Sequence, residues 1–328
     1  MNQFLRGMSA SQQVGLLFLI LFGLLVIASF ATFVASFHER ESERGQAWAA
    51  ELKRLSGLLK TSWFVSIVFW IGWVLGETVA TVLFGIVAFF ALREFITLSP
   101  TRRGDHRSMI LAFFVVLPIQ FWLVATEHFD LFTVFIPVYV FLAIPVVSAL
   151  AGDPHRFLER NAKLQWGIMV CVYGMSHVPA LLLLDFPRWD ERKNAFLVFF
   201  LVFVVQTCMV AQHIAQRWLA KPARAPQIST SFTWTSWAIG VAVGGFIGGL
   251  LSAITPFKPG QALGMALIAC VAGSLGHLVM KALKRDRGVT NWSGAPSVTG
   301  ATGLLDRVDA LCFAAPVFFH SVRWYFDL

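Results

Sequence analysis

Long apolar runs dominate this sequence and constrain its fold more than any other feature. A helix needs about 20 consecutive apolar residues to cross the hydrocarbon core of a bilayer. Only 13% of the residues are charged and 57% are hydrophobic, whereas soluble domains carry about 25% charged residues. The pattern predicts an all-α polytopic membrane protein and excludes a water-soluble fold. The runs are 14–37, 109–126, 131–150, 164–184, 195–212, 235–254, 262–282 and 305–326.

A further apolar stretch, 63–92, is too long for one span. At 1.5 Å per residue it would form a helix of about 45 Å, which exceeds a hydrocarbon core of about 30 Å. Gly76-Glu77-Thr78 interrupts the stretch. We therefore predict two short spans here, and nine or ten transmembrane helices in all.

The basic residues indicate the orientation. With ten spans, 20 of the 26 Lys and Arg residues fall on one side of the membrane, which the positive-inside rule assigns to the cytoplasm. We expect an integral protein of the bacterial inner (cytoplasmic) membrane with both termini outside. The net charge of +8 lies in short loops, so it favours anionic lipid or phosphate groups over nucleic acid as partners.

Three regions follow from this layout. Residues 1–108 hold the N-terminal helices and an amphipathic segment, 38–62, which we predict to lie along the membrane surface; a solvated linker helix is the alternative. Residues 109–212 form the central helices, and 213–328 carry most of the polar motifs. The glycines of GVAVGGFIGGLL (240–251) predict close helix packing, with a homodimer interface as one location for it.

Charged and small polar residues gather near the last apolar run. Lys284 and Arg285 precede a Gly/Ser/Thr-rich loop, and Asp306, Arg307 and Asp309 follow it. Flexible backbone N–H groups beside basic side chains suit phosphate. Two carboxylates three residues apart share a helix face and suit a hard cation such as Mg²⁺. In the alternative interpretation, Asp306 caps the last helix and Arg307 neutralises it.

These residues resemble the C-terminal signature of the phosphatidate cytidylyltransferases (CDP-diacylglycerol synthases). Weaker similarity lies upstream, where FFALREFITL (89–98) is similar to a helix end of that family. ISTSFTW (228–234) is similar to another family segment and retains Ser229 and Thr233. The signature matches are Ser274, Gly276, Lys284, Arg285, Gly288, Gly303, Asp306, Arg307 and Asp309.

The resemblance implies a reaction and roles for these residues. Such enzymes condense CTP with phosphatidic acid, with Mg²⁺ required, to form CDP-diacylglycerol and pyrophosphate. By this resemblance Asp306 and Asp309 are the candidate catalytic residues. Asp306 is also the candidate metal ligand, and His277 occupies the second-ligand position of the family. The implied phosphate-binding residues are Lys284, Arg285, Arg307, Ser274, Ser229 and Thr233.

Several family positions are substituted. His277 replaces a metal-binding aspartate, and imidazole is a poor ligand for Mg²⁺. Either the site is rebuilt, with Asp309 or Asp286 as the second carboxylate, or the protein is a pseudoenzyme that binds phospholipid or nucleotide. A transporter is a third hypothesis, opposed by the clustering of charge at one membrane face. The other substituted positions are Met209, Phe232, Thr290 and Asn291.

Overall fold

The computed structural model describes residues 9–37, 43–99, 101–186, 189, 193–219, 222–229, 232–289 and 303–328. Apart from an isolated bridge between Ala225 and Ser229, these residues form no β structure, which confirms the all-α prediction. The helices are α1 (Ala10–Ala35), α2 (Glu43–Leu75), α3 (Glu77–Thr97), α4 (Arg103–Ala125), α5 (Phe129–Ala149), α6 (Phe157–Leu183), α7 (Ala195–Leu219), α8 (Trp234–Ile254), α9 (Pro259–Asp286) and α10 (Leu305–Phe326).

Eight of the described helices, α1 and α3 to α9, are long and apolar enough to cross a membrane. The chain is therefore an integral membrane protein. The other two predicted spans are also helical, but the apolar part of α2 covers only Ser62–Leu75. Helix α10, with Asp306 in its first turn and Arg323 in its last, is not among the eight.

The described residues form two compact units, Met1–Gly76 and Glu77–Leu328. In the first unit α1 packs against α2. The Phe18 ring lies 5.1 Å from that of Phe69, and the Trp63 indole N–H donates to Ser29 Oγ at 3.0 Å. Aromatic packing and one hydrogen bond therefore join the two helices of this unit.

The predicted break at Gly76 is confirmed. Its φ of 92° lies in the left-handed region, which glycine adopts without steric cost. By contrast, no break separates the predicted surface segment from the second predicted span, which follows it, because α2 runs continuously from Glu43 to Leu75. The helix of that segment continues beyond residue 62, and its location along the membrane surface stays a prediction. Residues 38–42 of the segment lie outside the described part.

In the second unit α9 packs between α8 and α10. The glycines of α8 allow this approach. A Cβ on Gly248 would lie 2.2 Å from Ala266 Cβ, and one on Gly244 would lie 2.5 Å from Cys270 Sγ, both in α9. These two glycines therefore serve close helix packing within the chain, and the homodimer stays a prediction.

A buried ion cluster fixes the start of α6. Arg160 Nε lies 2.9 Å from Asp105 Oδ1, and Arg160 Nη1 lies 2.6 Å from Asp153 Oδ2. The Arg160 side chain is only 5% exposed. The pKa of Asp153 lies below that of an unperturbed aspartate because the His155 backbone N–H and the Arg160 guanidinium donate to the carboxylate.

We expect Arg160→Met to lower the free energy of unfolding by about 3 kcal/mol, because it leaves two carboxylates without their buried counter-charge. Asp153 has a depressed pKa, so its stabilising contribution is present above about pH 4 and is lost as pH falls through the folded-state pKa. The difference from wild type should therefore shrink in acid. Thermal unfolding in detergent at pH 7 and below pH 4 measures both effects.

Arg156→Met is the matched control. Arg156 pairs with Glu159, but its side chain is 68% exposed, and an exposed ion pair contributes about 0–1 kcal/mol. Equal melting temperatures for the Arg156 and Arg160 variants at pH 7 would contradict the structural role of the cluster.

Candidate functional site

The end of α9 and the start of α10 lie side by side and bring the C-terminal signature together. Gly276 makes this approach feasible, because a Cβ there would lie 2.2 Å from Phe313 Cγ in α10. Residues on the following turns of α9 therefore face the first turns of α10. The signature glycine has a physical role at the helix contact.

Two charged pairs cross this contact. Lys284 Nζ donates to Asp306 Oδ1 at 2.6 Å, and His277 Nδ1 lies 2.8 Å from Asp309 Oδ2. The order along the helices is antiparallel, since the earlier residue of α9 pairs with the later residue of α10. The Lys284 side chain is 11% exposed and that of Asp306 is 23% exposed. The structure thus joins four positions that the sequence analysis singled out.

The His277–Asp309 pair changes what Asp309 can offer. Its Oδ2 faces His277 Nδ1, and its Oδ1 accepts the Ala310 backbone N–H at 2.7 Å. Both carboxylate oxygens therefore have partners within the chain. A carboxylate bonded to one imidazole nitrogen orients the ring and leaves the other nitrogen, Nε2, for a proton or a ligand.

Glu94 binds the N-terminus of α10. Its Oε1 accepts the Leu304 N–H at 3.0 Å and its Oε2 accepts the Leu305 N–H at 2.8 Å. The side chain comes from α3 and is 4% exposed. A carboxylate is favourable there because the first N–H groups of a helix carry a partial positive charge and have no partner within the helix.

This contact corrects the alternative interpretation of Asp306. The cap of α10 comes from Glu94, while Asp306 lies in the first turn and pairs with Lys284. Glu94 lies within the FFALREFITL stretch, but no role for it was predicted from the sequence. The sequence feature that could have indicated this role is a charged residue near the end of an apolar helix.

The upstream hydroxyls occupy local positions. Thr233 caps α8 by accepting the Ser236 N–H at 3.2 Å, and Ser229 is buried. One turn into α8, the Trp237 indole N–H donates to Ser274 Oγ at 2.9 Å. Ser274 lies three residues before His277, so this bond connects the start of α8 to the region of the site. Trp237 is a second residue that the sequence analysis missed.

The remaining basic candidates and Asp286 lie around the two pairs. Arg285 is exposed and Arg307 is half-buried. Asp286 is exposed and pairs with Arg287 at 3.0 Å. The Gly/Ser/Thr-rich loop, 290–302, which includes Thr290 and Asn291, lies outside the described residues.

The donors at this site fit Mg²⁺ only in part. Within the described ranges, no three His, Cys, Asp or Glu side chains are grouped so that they could hold a metal ion. Mg²⁺, however, is usually held by one or two carboxylates together with substrate phosphates. Asp306 has suitable chemistry for that arrangement, whereas Asp309 already has partners on both oxygens.

We expect Gly276→Ala to lower the free energy of unfolding by about 1–3 kcal/mol, the usual cost of overpacking. The added methyl would push α9 away from Phe313 and separate both charged pairs. Gly264→Ala in the same helix is the control, since a Cβ there meets nothing within 4 Å. Melting temperatures in detergent compare the two. A Gly276 variant as stable as the Gly264 variant would contradict the close contact.

Comparison with known proteins shows a family and a relative that this chain is similar to. Residues 58–325 match the sequence profile described as the cytidylyltransferase family. An Escherichia coli (strain K12) protein, named as uncharacterized protein YnbB, is 33% identical over 244 residues. That alignment covers 74% of this chain and 78% of the E. coli protein. The family match includes both α9 and α10 and therefore the whole described site.

Proposed function

The chain belongs to the cytidylyltransferase family, a class of CTP-using transferases, and from this premise we propose that it transfers CMP from CTP to phosphatidic acid. The products would be CDP-diacylglycerol and pyrophosphate, which makes the protein an enzyme of phospholipid synthesis. The observation that carries the proposal is the Lys284–Asp306 pair. It places a buried cation and a carboxylate at the signature positions of an integral membrane protein.

In the proposed reaction an oxygen of the lipid phosphate attacks the α-phosphorus of CTP. A new P–O bond forms, the bond between the α- and β-phosphates breaks, and pyrophosphate leaves with the electron pair. The lipid phosphate, the α-phosphate of CTP and the leaving pyrophosphate are all anionic. Positioning and charge neutralisation therefore dominate catalysis. Lys284, Arg285 and Arg307 are the cations we assign to the phosphates.

We assign Asp306 to the Mg²⁺ that would accompany the nucleotide. When bound, the ion would neutralise phosphate charge and polarise the phosphoryl oxygens. Before substrate binds, Lys284 neutralises Asp306. We propose that Lys284 exchanges this carboxylate for a substrate phosphate as the complex forms. Ser274, close to His277 in α9, and the cap residue Thr233 are secondary candidates for phosphate contact.

The side of the membrane that holds most of the Lys and Arg residues gives the proposed orientation of the chain. Lys284, Asp306 and the cluster around Arg160 lie on segments that the positive-inside rule assigns to the cytoplasm. CTP is a cytoplasmic nucleotide, so a site facing this side has direct access to it. We propose the bacterial inner membrane as the location.

A second candidate function is binding without turnover. It is favoured by the His277–Asp309 pair, in which a histidine stands at the position of a family carboxylate and also binds Asp309. In that case the site would hold phospholipid or nucleotide, and no pyrophosphate would be released.

The two candidates differ in their products. Purified protein in lipid–detergent micelles would receive phosphatidic acid, Mg²⁺ and either CTP, UTP or ATP. We expect CTP to give pyrophosphate and a CDP-lipid of the corresponding mass in equal amounts, and the other nucleotides to give little. Saturable binding of CTP or lipid by folded protein with neither product would support the second candidate and reject the first.

A further inference from the structure

A cleft of about 280 Å³ opens between α3, α6 and α9. It adjoins the site just described, since its wall residue Phe95 follows Glu94 and its wall residue Leu283 precedes Lys284. None of the cleft residues was given a role in the sequence-based predictions. The cleft therefore adds a second binding surface beside the charged pairs.

Two cations from different helices line this cleft. Lys163 comes from α6 and Arg287 follows the last turn of α9, and each side chain is 18% exposed. Their present partners are carboxylates of their own segments, Glu159 for Lys163 and Asp286 for Arg287. Because Asp286 is 64% exposed, it can return to water when another anion binds Arg287. Glu159 also lines the cleft, and it keeps Arg156 as a second partner when an anion binds Lys163. The cleft can thus offer two positive charges to one ligand.

The rest of the cleft wall is mostly apolar, which restricts the class of ligand that can bind there. Phe95 is buried, Leu283 is half-buried, and Trp166 is partly exposed. Tryptophan is enriched where a membrane helix meets the polar interface. The polar part of the wall holds two cations and the Glu159 carboxylate, and the rest is mostly aromatic and aliphatic. A net positive charge beside an apolar surface fits an anionic amphiphile better than a free nucleotide.

We infer that this cleft binds an anionic glycerophospholipid, with the headgroup phosphate between Lys163 and Arg287. Its volume suits a glycerophosphate group but not two acyl chains, which would lie along the apolar helix surfaces outside. A phosphomonoester carries more charge than a zwitterionic phosphodiester lipid and should be preferred. As the binding site of the acceptor lipid, the cleft rests on the proposed function and would deliver the phosphate beside Lys284 and Asp306.

The test is lipid binding measured by native mass spectrometry. Wild type and the double variant Lys163→Gln/Arg287→Gln would be titrated with phosphatidic acid and with phosphatidylcholine of the same acyl chains. We expect phosphatidic acid binding to weaken at least about tenfold in the variant, since each contact is a charged hydrogen bond. Phosphatidylcholine binding should change little.

Two further variants serve as controls. Lys258→Gln removes one positive charge at the other end of α9 and should leave phosphatidic acid binding unchanged. Lys163→Arg/Arg287→Lys retains both charges and should keep most of the affinity. If the double Gln variant does not fold, the single variants Lys163→Gln and Arg287→Gln provide the same comparison.

Competition with CTP and with inorganic phosphate separates a lipid from a free phosphate as the ligand. Unchanged phosphatidic acid binding in the double variant would overturn the inference, as would loss of CTP binding alone. The assay is independent of turnover. Charge-dependent lipid binding without CDP-lipid formation would support the lipid site and reject the proposed reaction. Turnover with an unchanged lipid KM in the double Gln variant would support the reaction and reject the lipid site.

Discussion

Asp306→Asn is expected to reduce CDP-lipid formation at least about 100-fold, the range seen when one group that stabilises transition-state charge is removed. The substitution keeps the shape of the side chain and removes the negative charge that faces Lys284 at 2.6 Å. It would remove the proposed Mg²⁺ ligand and leave a largely buried lysine without its counter-charge. Initial rates at saturating CTP and phosphatidic acid measure the effect.

The exchange variant Lys284→Asp/Asp306→Lys distinguishes a substrate role for Asp306 from a structural one. It can restore the ion pair between α9 and α10, so we expect it to recover part of the melting temperature lost in Asp306→Asn. Activity should stay low, because the carboxylate would then lie at position 284 of α9 and no longer at position 306, to which we assign the Mg²⁺ ion. Asp130→Asn is the control for an exposed carboxylate, since Asp130 lies in the first turn of α5 and pairs with Arg323 near the end of α10. Recovery of activity in the exchange variant would contradict a direct role for Asp306.

Glu94→Gln should have the second large effect, on stability and activity together. A glutamine keeps one acceptor but lacks the charge, so one of the two backbone N–H groups at Leu304 and Leu305 would lose its partner in a buried position. Such a group costs about 1–3 kcal/mol, and loss of the charge–dipole interaction adds to it. We expect a total near 3 kcal/mol, measured by thermal unfolding in detergent.

Glu94→Gln should destabilise the first turn of α10 locally, in addition to lowering the stability of the whole protein. Hydrogen exchange in the first turn of α10 should become faster in Glu94→Gln, because the turn that positions Asp306 is no longer held from α3. Glu94→Asp retains the charge and should be intermediate, whereas Glu77→Gln, in the exposed first turn of the same helix, should resemble wild type. Unchanged exchange in that turn together with normal activity would show that Glu94 does not position the site.

The helices were predictable because the interior of a bilayer offers no hydrogen-bond partners, so an apolar span must satisfy its backbone groups as a helix. Each apolar run of the second unit forms a helix, and the break at Gly76 follows from a residue that tolerates a positive φ. The continuity of α2 was harder to predict. Its charged first part and its apolar second part suggest two environments, but nothing in its sequence between 43 and 75 ends the helix.

The site was predictable only in part. The signature gathered Lys284, Asp306 and Asp309 in one region, but the partners depend on how α9 faces α10. Gly276 sets that register by allowing contact with Phe313. The contact of Glu94 with α10 spans 210 residues, and Lys163 approaches the site from α6. Contacts of that range leave no periodic signal in a single sequence.

The central claim is CTP-dependent modification of phosphatidic acid, and label transfer tests it most directly. Wild-type protein in lipid–detergent micelles would receive Mg²⁺, phosphatidic acid and CTP labelled at either the α- or the γ-phosphorus. We predict that α-label enters the lipid phase while γ-label leaves as pyrophosphate in equal amount. Lipid that gains γ-label, or folded protein that transfers neither label, would contradict it.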